Sequence, residues 1–250
     1  MLRSYGDADV FGETYGEGAV RVVWLHGWAR RAEDFTLAAR ELAEHDVASV
    51  ALDLPGFGAS PLPTVAGGAR HYASLLTPTM RQLALEPVVL VGHSFGGTVA
   101  TVLAAEHPEL VRAVVLTGAP VLRRSSAARS PLAYRRVRWL HRHGLLSDQR
   151  LEAARQRYGS SDYRRAHGML REVLVASVNE SYEDELRNLR APVTFLWGEG
   201  DLEVPLDVAQ RAALLLTSDH ALQVLRGVGH MTPLEAPHEL ANVVEKVLAQ

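Results

Sequence analysis

The sequence predicts an α/β fold, with a mostly parallel central sheet and helices on both of its faces. Six short, Val-rich apolar runs each end in a small or polar turn, and helix-length stretches alternate with them. Strands buried on both faces read as short continuous apolar runs, and their alternation with helices implies a parallel sheet. A length of 250 residues suits one substantial domain.

In chain order, Val20 to Leu25 precedes His26-Gly27-Trp28, and Val47 to Leu52 precedes Asp53-Leu54-Pro55-Gly56. Val88 to Val91 leads into Gly92-His93-Ser94, and Ala113 to Leu116 into Thr117-Gly118. Val193 to Trp197 ends at Gly198, and Leu222 to Leu225 ends at Arg226-Gly227. Helical stretches fall at Ala32 to Glu44, Phe95 to Glu106 and Leu234 to Leu248. From about Val121 to Leu186 the alternation stops. Tyr163, His167, Leu170, Leu174 and Ser177 recur at helical spacing there, as do Leu151, Ala154 and Tyr158. We read residues 121–186 as an inserted all-helical cap, and 1–120 with 187–250 as the core domain.

Composition narrows the function class. A hydrophobic content of 47% and a charged content of 22% are ordinary for a globular protein. A net charge of -3 predicts no nucleic-acid partner and no membrane-surface partner. Between Pro120 and Glu180, however, 13 arginines stand against 5 acidic residues. With no cysteine there is no disulfide, thiolate metal site or cysteine nucleophile. Met1 to Asp7 lacks the apolar segment of a signal peptide, and no apolar run approaches the roughly 20 residues of a membrane helix. The expected location is cytoplasmic. His141 and His143 form an H-x-H pair without an evident third ligand, so no metal and no cofactor is expected.

Ligands of open α/β sheets bind outside the carboxyl ends of the strands, which places the chemistry in the turns. Gly92-His93-Ser94-Phe95-Gly96 fits G-x-S-x-G between a strand and a helix. Such a turn holds the serine strained and exposed, above helix N–H groups that favour developing negative charge. A serine hydroxyl needs an adjacent base. Two later turns supply a base and an acid: His230 follows Gly227-Val228-Gly229, and Asp201 follows Trp197-Gly198-Glu199-Gly200. The order Ser94, Asp201, His230 suits a nucleophile, an orienting acid and a general base. Glu199 and Glu203 are the rival acids.

These motifs resemble the α/β-hydrolase superfamily, in the branch with a helical cap inserted after the sixth strand. The landmarks are His26-Gly27-Trp28, Asp53-Leu54-Pro55-Gly56-Phe57-Gly58-Ala59-Ser60, the elbow at Ser94, Trp197-Gly198-Glu199-Gly200-Asp201 and Gly229-His230. The resemblance implies that the backbone N–H groups of Trp28 and Phe95 form an oxyanion hole. It also implies structural roles for Asp53 and Gly56. Serine at the elbow argues against the dehalogenases and epoxide hydrolases of this fold, and the basic cap argues against proline iminopeptidases.

Trp28 and Phe95 suggest an apolar acyl pocket, with His26 and His167 as pocket-lining candidates. The leading expectation is a carboxylesterase-like serine hydrolase acting on a small-molecule ester. Carbon–carbon hydrolysis of a vinylogous diketone acid, perhydrolase or acyltransferase chemistry, and a non-catalytic ligand receptor stay open. Paired arginines, such as Arg123-Arg124, Arg135-Arg136 and Arg164-Arg165, cannot both face one pocket, which favours an outward, solvated role. An anionic substrate would give them a purpose.

Overall fold

A computed structural model describes residues 2–6, 10–122, 132–158 and 161–250. Its eight strands are β1 (Leu2–Tyr5), β2 (Val10–Tyr15), β3 (Val22–Leu25), β4 (Ser49–Asp53), β5 (Val88–His93), β6 (Val111–Thr117), β7 (Val193–Gly198) and β8 (His220–Leu225). They form one sheet in the order β1-β2-β4-β3-β5-β6-β7-β8. From β4 across to β8 every pairing is parallel, whereas β2 runs antiparallel to both β1 and β4.

The central strands are legible because they are buried on both faces: every residue of β3, β4 and β5 is enclosed. β1 and β2 are unforeseen. β1 is exposed at three of its four residues and β2 is only half enclosed, so no continuous apolar run marks them. Gly12 in β2 is required by close approach, since a Cβ there would lie 2.8 Å from the Ala51 carbonyl oxygen.

Helices cover both faces. After a 3-10 turn at Ala32–Phe35 come α1 (Thr36–Glu44), α2 (Ala69–Leu83) and α3 (Phe95–Glu106). The stretch between β6 and β7 holds α4 (Leu132–Arg142), α5 (Asp148–Tyr158), α6 (Ser161–Arg165), α7 (Gly168–Asn179) and α8 (Glu183–Asn188). Then follow α9 (Leu206–Ala213), α10 (Thr232–Glu235) and α11 (Pro237–Leu248). One core cluster packs α2, α3, α8 and α9 on the sheet, and the other packs α1 and α11 on the opposite face. Pro78 hides α2 from sequence inspection, yet Tyr72, Leu76, Met80 and Leu83 give it a buried stripe at helical spacing.

Among the described residues the stretch between β6 and β7 holds helices and no strand. The expected continuous helix through Tyr163, His167 and Leu170 is instead two helices. α6 ends at Arg165, His167 is extended, and Gly168 opens α7 with a φ of +52°. α8 crosses the expected insertion limit at residue 186 and joins the core through buried Leu186 and Leu189. An Arg70–Glu185 ion pair of 2.5 Å ties it to α2. Arg123 and Arg124 lie outside the described residues. Among the described residues, no helix is long and apolar enough to cross a membrane.

Candidate active site

Ser94 joins β5 to α3 with φ 50° and ψ −117°, a strained conformation for a residue with a Cβ. The surroundings over-determine it. The Ser94 N–H donates to the Thr117 carbonyl at 2.9 Å, and the Gly96 N–H donates to the His26 carbonyl at 3.0 Å. A Cβ on Gly96 would fall 2.2 Å from the Leu25 carbonyl oxygen, so only glycine lets the elbow nest against the end of β3. The turn after β3 presses from the other side, where a Cβ on Gly27 would lie 3.2 Å from the Ser94 Cβ. Ser94 itself is partly exposed.

Asp201 and His230 meet beside this elbow. His230 Nδ1 donates to Asp201 Oδ2 at 2.8 Å. The other carboxylate oxygen accepts the N–H groups of Glu203 at 2.9 Å and Val204 at 2.8 Å. The Asp201 carboxylate is enclosed, and fixed hydrogen bonds satisfy both of its oxygens. Of the three candidate acids, Asp201 is the one bonded to Nδ1. Glu203 faces the opposite nitrogen, Nε2, at 3.5 Å, and Ser94 Oγ makes no hydrogen bond to His230 in this conformation. Burial pulls the His230 pKa down, but the Asp201 hydrogen bond and charge, with Glu203 and Glu235, leave it raised.

Three further residues support this dyad. Glu235 in α10 accepts the Gly229 N–H at 2.7 Å and the Met231 N–H at 3.0 Å, which clamps the His230 loop. Gly118, after β6, sits at φ +54° with space for hydrogen only. A Cβ there would lie 2.8 Å from His230 Cε1 and 3.2 Å from Asp201 Oδ2. Gly118→Ala should therefore cost about 1 kcal/mol or more through backbone strain and displace the imidazole, lowering kcat/KM by about 100-fold. Steady-state kinetics and thermal melting check both effects; unchanged kinetics would show that the imidazole tolerates the methyl. Buried His93 is the third partner, its ring 4.9 Å from that of His230. Its Nδ1 pairs with Thr117 Oγ1 at 2.8 Å, and burial, then the charge of His230, push its pKa down to about 3.

Trp28 and Phe95 flank the elbow, their rings 5.7 Å apart. Phe57 packs edge-on to Trp28, and Tyr72 edge-on to Phe95, at 5.1 Å and 5.0 Å. The Trp28 and Phe95 N–H groups have no acceptor among the described residues. Asp53 binds the Ala32 N–H at 2.7 Å and the Ala59 N–H at 2.8 Å, shaping the loop beneath these rings.

Of the two histidines expected to line the pocket, one is enclosed and the other stands at the surface. His26 is fully buried, with Nδ1 donating to the Gly27 carbonyl at 2.7 Å and Nε2 accepting the Leu54 N–H at 2.9 Å. Both nitrogens are committed to backbone, and burial pushes the pKa down to about 4, so His26 organises two loops as a neutral ring. His167 is exposed and precedes α7, because the helix breaks before Gly168. The arginines of α4 are exposed as an outward role requires, but Arg135, Arg138 and Arg142 share one face at helical spacing. With Arg155 of α5 they line a groove of about 500 Å³ around Trp139.

Residues 22–243 match the sequence profile described as the alpha/beta hydrolase family. The chain belongs to the alpha/beta hydrolase family. Among curated relatives of this hydrolase, the biotin biosynthesis bifunctional protein BioHC of Teredinibacter turnerae is 27% identical, over 92% of this chain and 44% of its own length. The pimeloyl-[acyl-carrier protein] methyl ester esterase of Salmonella heidelberg is 36% identical over 107 residues, 43% of this chain and 40% of that protein. The chain thus spans under half the length of each in the matched region. A thermophilic esterase from Thermogutta terrifontis superposes with a TM-score of 0.71 at 20% identity, over 100% of this hydrolase and 98% of that chain, a likeness of fold.

Proposed function

We propose that this hydrolase cleaves carboxylic esters through an acyl-enzyme on Ser94. The observation that carries this reading is the half-buried Asp201–His230 hydrogen bond of 2.8 Å beside a serine held at φ 50°. In the reaction, Ser94 Oγ attacks the ester carbonyl as its proton passes to His230 Nε2. The oxyanion takes hydrogen bonds from the N–H groups of Trp28 and Phe95. Collapse expels the alcohol, which receives the proton from His230. Water, deprotonated by His230, then attacks the acyl-enzyme, releases the acid and restores Ser94.

The acyl group would lodge against Trp28, Phe57 and Phe95, and residues 121–186 would act as the cap that sets specificity. The Salmonella relative acts, by its name, on a methyl ester of a carrier-bound acyl chain, which supports a small alkyl ester of an acid as the substrate class. The arginine groove of α4 and α5 favours anionic substrates of that class. A series of p-nitrophenyl and methyl esters of rising acyl length tests this. Turnover with an optimum acyl length supports it, and inertness of every ester contradicts it.

The raised pKa of His230 sets a pH dependence. Neutral His230 is the base, so kcat/KM should rise with pH along a limb whose midpoint lies above about 6.5, the ordinary histidine value. The sign for stability is opposite. Charged His230 stabilises the fold fully below about 6.5, and that contribution is lost as pH rises through the raised folded-state pKa. A midpoint below the ordinary histidine value, measured with an ester substrate, would contradict the assignment.

A further inference from the structure

His230 is held at both nitrogens by carboxylates from one loop. Asp201 takes Nδ1–H at 2.8 Å, and Glu203 Oε2 stands 3.5 Å from Nε2. The loop is rigid where it matters, because the Glu203 N–H donates at 2.9 Å to the same Asp201 carboxylate that orients the ring. Nε2 is the atom that must accept the Ser94 proton, yet a carboxylate beside Nε2 is favourable only when Nε2 bears hydrogen. With Nδ1 already a donor, this arrangement suits the imidazolium and leaves Ser94 Oγ without its base.

We propose that Glu203 is a positioning residue that competes with Ser94 for His230 Nε2 and holds the site in a protonated resting state. This rests on the reading of Ser94 as nucleophile and His230 as base. Among the described residues, the titratable groups facing His230 are Asp201 and Glu203 from the loop after β7, Glu235 from α10 and His93 from the end of β5. His93, enclosed and neutral, adds no charge. Asp201 is committed to Nδ1, and Glu235 to two backbone N–H groups. Glu203, whose side chain is 69% exposed, is thus the carboxylate free to leave. As pH rises and Nε2 loses its proton, the Glu203 contact loses its attraction and Ser94 can take its place. Activity would then respond to ionic strength as well as to pH, since salt screens an exposed pair more than a buried one.

The test compares wild type with Glu203→Gln and Glu203→Ala, and uses Glu199→Gln on the same loop as the control. Two readouts are taken against pH: the rate of fluorophosphonate labelling and the NMR titration of the His230 imidazole. Removing an exposed charge at this distance should move both midpoints down by about half a pH unit, a gain of about threefold in labelling on the acid limb. At about 1 M salt the wild-type midpoint should approach that of the variants. Glu199→Gln should behave as wild type. Midpoints that stay in place in both Glu203 variants, or move upward, overturn the proposal. If the wild type never labels, the assignment of Ser94 fails, and the NMR titration still decides whether Glu203 holds His230 protonated.

Discussion

Ser94→Ala is expected to lower ester hydrolysis by about a millionfold in kcat, the scale seen when the nucleophile of a Ser-His-Asp site is removed. Some rate above the uncatalysed reaction should survive, since Trp28 and Phe95 would still bind the developing oxyanion. The fold should persist, because the bonds of Ser94 to Thr117, Gly97 and Thr98 are made by backbone. Ser94→Gly separates function from stability further. Glycine adopts φ 50° without the Cβ penalty, so it should stabilise the protein by about 1 kcal/mol while remaining inactive. Kinetics and denaturant unfolding of the two variants check this together. An active Ser94→Ala protein would remove the nucleophile from the scheme.

Asp201→Asn should cost on the order of ten-thousandfold in kcat while leaving the fold in place, as replacement of the orienting acid does at comparable sites. Asp201 Oδ1 accepts two backbone N–H groups, so the asparagine oxygen is required there and the amide nitrogen must face His230. An NH2 group at that place makes Nδ1 an acceptor and puts the proton on Nε2. The base is then blocked at the atom that should receive the Ser94 proton. A pH–rate profile of the variant checks the mechanism, because the acid limb should move to lower pH once the Asp201 charge that raises the His230 pKa is gone. Near-normal activity would show that another acid orients the ring.

Much of the fold was legible because burial writes itself into composition. Val22 to Leu25 and Val88 to Val91 are enclosed on both faces, and the elbow glycines stand where backbones touch at 2.2 to 2.5 Å from a notional Cβ. What escaped was half-buried or depended on distant partners. β1 is an edge strand, β2 beside it is only half enclosed, and α2 contains Pro78. The order of Ser94, Asp201 and His230 was readable, and the structure brings Asp201 and His230 into contact. Gly118 and Glu235 were not readable, because their importance lies in what they touch across the fold. His26 shows the converse, since residue type drew attention to a side chain that burial removes from the site. The arginine face of α4 had a signal in the spacing of Arg135, Arg138 and Arg142, obscured by the adjacent pairs.

Covalent trapping followed by peptide mass spectrometry tests the central claim most directly. A fluorophosphonate should add once per chain, on the peptide carrying Ser94, and a slowly hydrolysed ester should leave its acyl group on the same residue. Both adducts should be lost in Ser94→Ala and strongly slowed in a His230 variant. An adduct on any other residue, or turnover of esters with Ser94 never modified, would contradict an acyl-enzyme mechanism at this site.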